Sequence, residues 1–207
     1  MAEFADQAYA RLLSDIFTLE QLDAHPDSIF ALDPGGRIVF VNAGWDAFAR
    51  DNGGQPAVAD RWGVGSNYLD ALAPPLAPFY RELFARTPRY GTTLNPASHE
   101  YECSSATVYR RFAMLVYALP EDQGHLVVNS RSIERPHGPE RKPRAPRASR
   151  YVDRNGLIHQ CAHCRRVRHM SDGGRWDWVP DWVEHPQNNA SHGLCPVCMD
   201  YYSLDAS

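Results

Sequence analysis

Two pairs of cysteines constrain this chain more than any other feature: Cys161-Ala-His-Cys164 and, thirty residues later, Cys195-Pro-Val-Cys198. A Cys-x-x-Cys pair lets two thiolates turn toward one ion from a tight loop. Two such loops complete a tetrahedron with Zn–S distances of about 2.3 Å. Cytosolic thiols are kept reduced, so disulfides are the weaker reading. The stretch 151–207 has only 57 residues. Ordering each costs about 1.5 kcal/mol, which apolar burial in so small a unit roughly cancels. A structural Zn2+ contributes on the order of 10–16 kcal/mol in finger peptides, so the metal is expected to decide whether this tail folds. Cys161, Cys164, Cys195 and Cys198 are the expected ligands, with Zn2+ as the ion and Fe as the alternative. His192 is a substitute ligand at most, and His163, inside the first loop, is expected to point away. Trp176, Trp178, Val179, Trp182 and Val183 are expected to supply a small core. Arg165, Arg166 and Arg168 stand ready to offset the −2 formal charge of a zinc tetrathiolate.

Upstream of this tail lies Arg135-Pro-His-Gly-Pro-Glu-Arg-Lys-Pro-Arg-Ala-Pro-Arg-Ala-Ser-Arg150, with six basic side chains, one acidic and four prolines. Repeated proline holds the backbone extended and removes amide donors, so 135–150 reads as a semi-rigid linker. A docking strip for an acidic partner or nucleic acid is the functional alternative. Residues 1–134 carry 10 basic and 17 acidic side chains and the whole chain is at −4. That balance offers no broad basic surface and argues against nucleic acid as the partner, the positive segment 135–150 being the only exception.

Before the linker the pattern is mixed. Tyr9, Leu12, Leu13 and Ile16 recur at helical spacing within residues 2–19, an amphipathic helix that Pro26 keeps from extending. Residues 1–21 form a separate N-terminal element, suited to homodimerisation or to folding back on its own sheet. Two strand-like runs, Ser28–Leu32 and Arg37–Val41, flank Asp33-Pro-Gly-Gly36, a hairpin turn. Trp45, Phe48 and Ala49 follow at helical spacing until Asn52-Gly-Gly54, and residues 76–86 form a further helix. Strands are expected near 98–104, 108–119 and 125–133. The result is an α+β fold, with helices on one face of a five-stranded antiparallel sheet.

Residues 22–134 resemble a PAS domain. The likeness rests on Leu22 to Trp45 with its hairpin and Asn-x-x-Trp helix start, on Tyr101-Glu-Cys-Ser-Ser, and on Leu126-Val-Val-Asn-Ser-Arg-Ser. The family implies helices enclosing a ligand-sized pocket used for sensing and protein–protein signalling. Trp45, Phe48, Tyr68, Phe79, Tyr80 and Phe84 are candidates to line such a pocket or simply to pack the core. The Asn-Cys-Arg-Phe-Leu motif of flavin-binding members is missing, and helix 76–86 has no His for haem. His25, His99 and His125 are read as exposed loop residues, Cys103 as a small hydrophobe, and Glu100 and Glu102 as a solvated strand face. The tail 151–202 is similar to the cysteine tail appended to PAS and receiver domains in bacterial signalling proteins. That match rests on Cys161-Ala-His-Cys-Arg-Arg-Val-Arg168, Trp176 and Ser191-His-Gly-Leu-Cys-Pro-Val-Cys198. It also resembles rubredoxin, although rubredoxin loops place Gly where Arg165 and Met199 stand.

No phosphate loop, nucleophile elbow or other catalytic motif occurs. The longest apolar run, Phe112 to Leu119, falls short of the about 20 residues a membrane helix needs, and the N-terminus has no secretion-signal pattern. The expectation is a cytoplasmic, non-catalytic signalling protein acting on an unidentified partner, its pocket ligand unknown. A rubredoxin-like redox protein and a zinc-ribbon nucleic-acid regulator are the alternatives.

Overall fold

The turn at Asp33-Pro-Gly-Gly36 forms as its residues dictate. Asp33 Oδ1 accepts from the backbone N–H of Gly35 (2.9 Å) and Arg37 (2.8 Å), and Gly36 takes a φ of +82° that other residues rarely adopt. In the computed structural model, which describes residues 3–54, 56–87 and 96–204, the following elements surround it. They are β1 (Glu3–Phe4), α1 (Gln7–Ile16), α2 (Leu19–Ala24), β2 (Ser28–Leu32), β3 (Ile38–Val41), α3 (Ala43–Asp51) and α4 (Ala57–Trp62), then a 3-10 turn (Tyr68–Ala71). Next come α5 (Ala77–Ala85), β4 (Ala97–Glu102), β5 (Val108–Ala118) and β6 (His125–Pro136). The C-terminal part holds α6 (Ala148–Tyr151), β7 (Ile158–Cys161), β8 (Val167–Arg168), β9 (Trp176–Asp177), α7 (Asp181–Glu184), β10 (Ala190–Gly193) and α8 (Pro196–Leu204).

The first sheet is antiparallel and has six strands in the order β1-β3-β2-β6-β5-β4, not five. The extra strand is β1, two residues that pair with β3 at the edge (Glu3 with Val41, Phe4 with Phe40). So short a segment carries no periodic signal, and the helix expected from residue 2 begins instead at Gln7. There Asp6 Oδ1 caps it, accepting from the N–H of Ala8 and Tyr9 at 2.8 and 3.1 Å.

The chain divides into two compact units. Unit 1 comprises Met1–Leu72, Tyr80–His99 and Ala113–Ser130, and unit 2 comprises Ala73–Phe79, Glu100–Phe112 and Arg131–Ser207. In unit 1, helices do not lie on one face of the sheet. Strand side chains alternate, so Ile29, Ala31 and Phe40 share a face with Leu126 and meet Leu13, Tyr9, Leu12 and Ile16 of α1. Phe30 points the other way, 5.1 Å from the rings of both Trp45 (α3) and Tyr68. This explains why every residue of β3 and all but the first of β2 are buried. The apolar stripe of α1, one expectation for which was a dimer contact, is thus folded back on its own sheet.

Asn42 ties this unit together. Fully buried, it caps α3 by accepting from Trp45 N–H (2.9 Å) and also accepts from Ile29 N–H (2.9 Å). Its amide donates to the carbonyls of Leu22, His25 and Asp27 at 3.1, 3.1 and 2.9 Å. Beside it, Gly44 is required because a Cβ there would sit 2.3 Å from the Asp27 carbonyl oxygen.

Unit 2 contains a four-stranded sheet in the order β10-β7-β8-β9, in which β10 runs parallel to β7 and the other pairs are antiparallel. Ile158 and Val167 pack with Tyr151, Val179 and Trp182 into a small core. The Pro/Arg segment expected as a linker is built into this unit. Strand β6 runs on to Pro136, Pro143 bridges to Trp178, and Arg144 N–H donates to the Trp178 carbonyl at 2.8 Å. Arg141 holds the segment down. It is buried, ion-paired with Glu102, and its guanidinium carbon lies 4.7 Å from the Trp178 ring centre and 5.5 Å from that of Tyr109. A guanidinium tolerates this position because its charge is paired and its flat faces are covered by aromatic rings. Among the described residues, no helix is long and apolar enough to cross a membrane.

Candidate metal centre

Cys161 ends β7, and the chain turns there. Cys161 N–H donates to the Arg166 carbonyl (2.8 Å) and Arg165 N–H to the Cys161 carbonyl (3.1 Å). This is the tight loop that the first cysteine pair predicts. Arg165 adopts φ +62°, the left-handed conformation that glycine usually supplies at this position. The missing glycine therefore does not prevent the loop.

The second pair is presented differently from expectation. Parallel pairing of β10 with β7 sets Gly193 opposite Cys161, and Ala162 N–H donates to the Gly193 carbonyl at 2.7 Å. Leu194 and Cys195 then follow beside the first loop. Cys195 directly precedes α8, its carbonyl accepting from Met199 N–H at 2.8 Å, so Cys198 lies in the first helical turn. A loop and a helix start, not two matching loops, carry the four thiols. Pro196, at the first helical position, suits this start because an N–H there would have no intrahelical acceptor.

All four cysteines are buried and free of disulfides, and their sulfurs lie within 4.8 Å of one another. Cys164 Sγ and Cys195 Sγ are 3.8 Å apart. A tetrahedron of sulfurs about 2.3 Å from a central ion has edges of about 3.8 Å, whereas a disulfide would bring sulfurs to about 2.05 Å. The donor set therefore fits a metal ion. The thiols also disagree about ionisation. Bonds from the Cys164, Cys195 and Cys198 thiols push Cys161 down. At Cys195 the Cys161 thiol opposes ionisation, but bonds from Cys164 and Cys198 outweigh it and bring the group down to about 7. Cys164 and Cys198 are pushed up, each first by its contact with Cys161. Four thiolates at this spacing repel one another, and a multivalent cation at their centre removes that repulsion.

Trp176 and Leu194 pack against the sulfurs, and His192 is exposed on β10, outside the cluster. His163, as expected, turns from the sulfurs; its Nδ1 is 2.8 Å from the Tyr202 hydroxyl. Beside the cluster, and within unit 2, is a cleft of about 330 Å³ lined by Glu102, Tyr109, Arg141, His163, Cys164 and Tyr201, among others. Of the two strand carboxylates, Glu100 is solvated as expected, 3.4 Å from the Arg111 guanidinium, whereas Glu102 is enclosed and pairs with Arg141. Arg141 gave no sign in the sequence, since its neighbours look like those of any exposed linker arginine. Cys103 is exposed and apart from the four.

The six aromatic candidates divide between the units. In unit 1, the Tyr68 ring meets Phe30 (5.1 Å), Phe84 (5.8 Å) and Tyr80 (6.1 Å), and Trp45 meets Phe30. Desolvation, and after it the neighbouring Tyr80, pushes the Tyr68 hydroxyl well up, so it stays protonated. Phe48 is half-buried on α3. Phe79 belongs to unit 2, where its ring lies 4.9 Å from Tyr202. Two histidines read as exposed loop residues are not. His99 is buried on β4, edge-on to Tyr80 at 5.8 Å, and His125 places Nε2 3.1 Å from the Phe84 carbonyl. Burial pushes the His125 imidazole down, so it is neutral at pH 7. Comparison with protein-family models and with curated proteins finds no match to this chain.

Proposed function

We propose that this chain is a non-catalytic signal-transduction protein. A PAS-like sensory and protein-interaction module over residues 22–134 is coupled to a module organised by Zn2+ on Cys161, Cys164, Cys195 and Cys198. The observation that carries this reading is the buried cluster of four sulfurs with its 3.8 Å Cys164–Cys195 separation. A helix start as the second donor loop favours zinc over a rubredoxin-like iron site, whose two loops would match. Support for the sensory half comes from the β2–β3 hairpin lying beside β6, the first sheet's last strand in chain order, and from Trp45 and Tyr68 against Phe30 with Tyr80 and Phe84 against Tyr68. The module binds and relays through contact with another protein.

Elemental analysis and native mass spectrometry on one sample test this reading. The expected result is one zinc per chain, with any small molecule retained by unit 1 appearing as added mass. Stoichiometric iron with visible absorbance would transfer the centre to electron-transfer chemistry, and protein fully folded without bound metal would remove the structural role.

A further inference from the structure

Between Arg141 and Arg168 the sequence holds nine basic side chains and one acidic one, Asp153. Asp153 is already engaged, its Oδ2 lying 2.9 Å from His159 Nε2. The fold ties the first basic part of this stretch to the second at both of its ends. Arg166 Nη2 donates to the Glu140 carbonyl at 3.3 Å, and Met170 N–H donates to the Arg150 carbonyl at 2.7 Å. These bonds tie the two ends of 140–150 to residues 166 and 170, while Pro143 and Arg144 between them pair with Trp178. Arg141 is consumed by Glu102, and Arg165 and Arg166 directly follow the first cysteine pair. Of the six that remain, Arg154 lies in the turn before β7, outside both strips, while Lys142, Arg144, Arg147, Arg150 and Arg168 lie in them; all but the half-buried Arg144 are exposed, and none of the six makes an ion pair among the described residues. The nearby carboxylate of Asp177 is occupied by Arg175 at 2.8 Å and by the Tyr151 hydroxyl at 2.9 Å.

We propose that these two strips form a binding surface for the phosphodiester backbone of double-stranded nucleic acid. Gathering unpaired cations costs self-repulsion that an anionic partner removes. Arginines recur at every third position, 141, 144, 147 and 150; Pro143 and Pro146 hold the backbone extended between the first three, and Arg150 lies on α6. Four of the five cations in the strips are arginines, whose planar forks fit two oxygens of one phosphate. Residues 141–150 contain no aromatic side chain to stack on an unpaired base, which disfavours single strands. Apart from proline rings they offer only Ala145 and Ala148 as apolar contacts, so an acidic peptide would find no hydrophobic anchor. This inference rests on unit 2 alone and stands whether or not unit 1 is a sensor.

The test is fluorescence anisotropy with the full chain, its metal content measured, and a labelled DNA duplex of roughly 20 base pairs at salt between about 50 and about 200 mM. Five phosphate contacts give a slope of log affinity against log salt of about −4.5, and so a loss of about two to three orders of magnitude across that range. The triple variant R147A/R150A/R168A should keep its metal, bind more than about tenfold more weakly at low salt, and flatten the slope by about 3. No binding at low salt overturns the proposal, as does an unchanged slope in the variant. Displacement of the duplex by a poly-glutamate peptide at equal charge would reassign the surface to acidic proteins and overturn it equally.

Discussion

At position 42 only an amide serves, because the side chain must donate to three carbonyls while accepting from two backbone N–H groups. Alanine removes both functions, and about 3 kcal/mol of stability should be lost in urea unfolding. Aspartate keeps the acceptor but turns a carboxylate toward the oxygens of Leu22, His25 and Asp27, so Asn42→Asp should destabilise more than Asn42→Ala despite its closer shape. A variant order with aspartate the milder change would remove the donor role from this account. Reading residues one at a time served unevenly. Asn42 was visible as a helix start, and the four cysteines were legible from spacing alone. Arg165 was harder to interpret: a rule about glycine after the second cysteine is a rule about cost. The left-handed conformation costs an ordinary residue about 1–2 kcal/mol, a sum that a four-thiolate centre can override.

Helix α1 shows what an amphipathic pattern does and does not say. Its spacing located the helix but could not say whether its stripe meets a second chain or its own sheet. Leu13 answers that question, since it is fully buried among Ile29, Val39 and Leu126. Leu13→Ala should cost about 3 kcal/mol by calorimetry or urea unfolding, with no dependence on protein concentration. A concentration-dependent midpoint would instead point to an interface between chains. Strands β2, β3, β5 and β6 were legible because each is an apolar run beside a turn signal, whereas the short strands β7 to β10 of the tail were not expected. Strand β1 was not, since two residues have no period. The linker was misjudged for a related reason: proline forbids regular structure without forbidding burial, and one ion pair between Arg141 and Glu102 suffices to anchor an irregular segment.

Across the whole chain, charge and metal are distributed unequally. Unit 1 carries seven basic and 14 acidic residues, whereas unit 2 carries 14 basic and 11 acidic. The ion, if it organises unit 2, should be felt there first. Hydrogen exchange on chelator-treated protein should show lost protection for amides of β7, β10 and α8, with those of β2 and β3 retained. Uniform retention would mean that the apolar core around Tyr151 holds unit 2 without a metal. Division of the chain into these two units was not legible in advance. A boundary at residue 134 follows from composition, whereas the observed one falls within β4, β5 and β6, and long-range strand pairing leaves no compositional mark.

The parallel register that sets Gly193 opposite Cys161 limits how this molecule can vary over descent. Because neighbouring strand residues face opposite sides, one residue gained or lost between Gly193 and Cys195 would turn the second thiol pair away from the first. The stretch from Met170 to Gly174, joining β8 to β9, carries no such constraint. Insertions and deletions should therefore accumulate there in related chains, while the single-residue spacer Leu194 keeps its length.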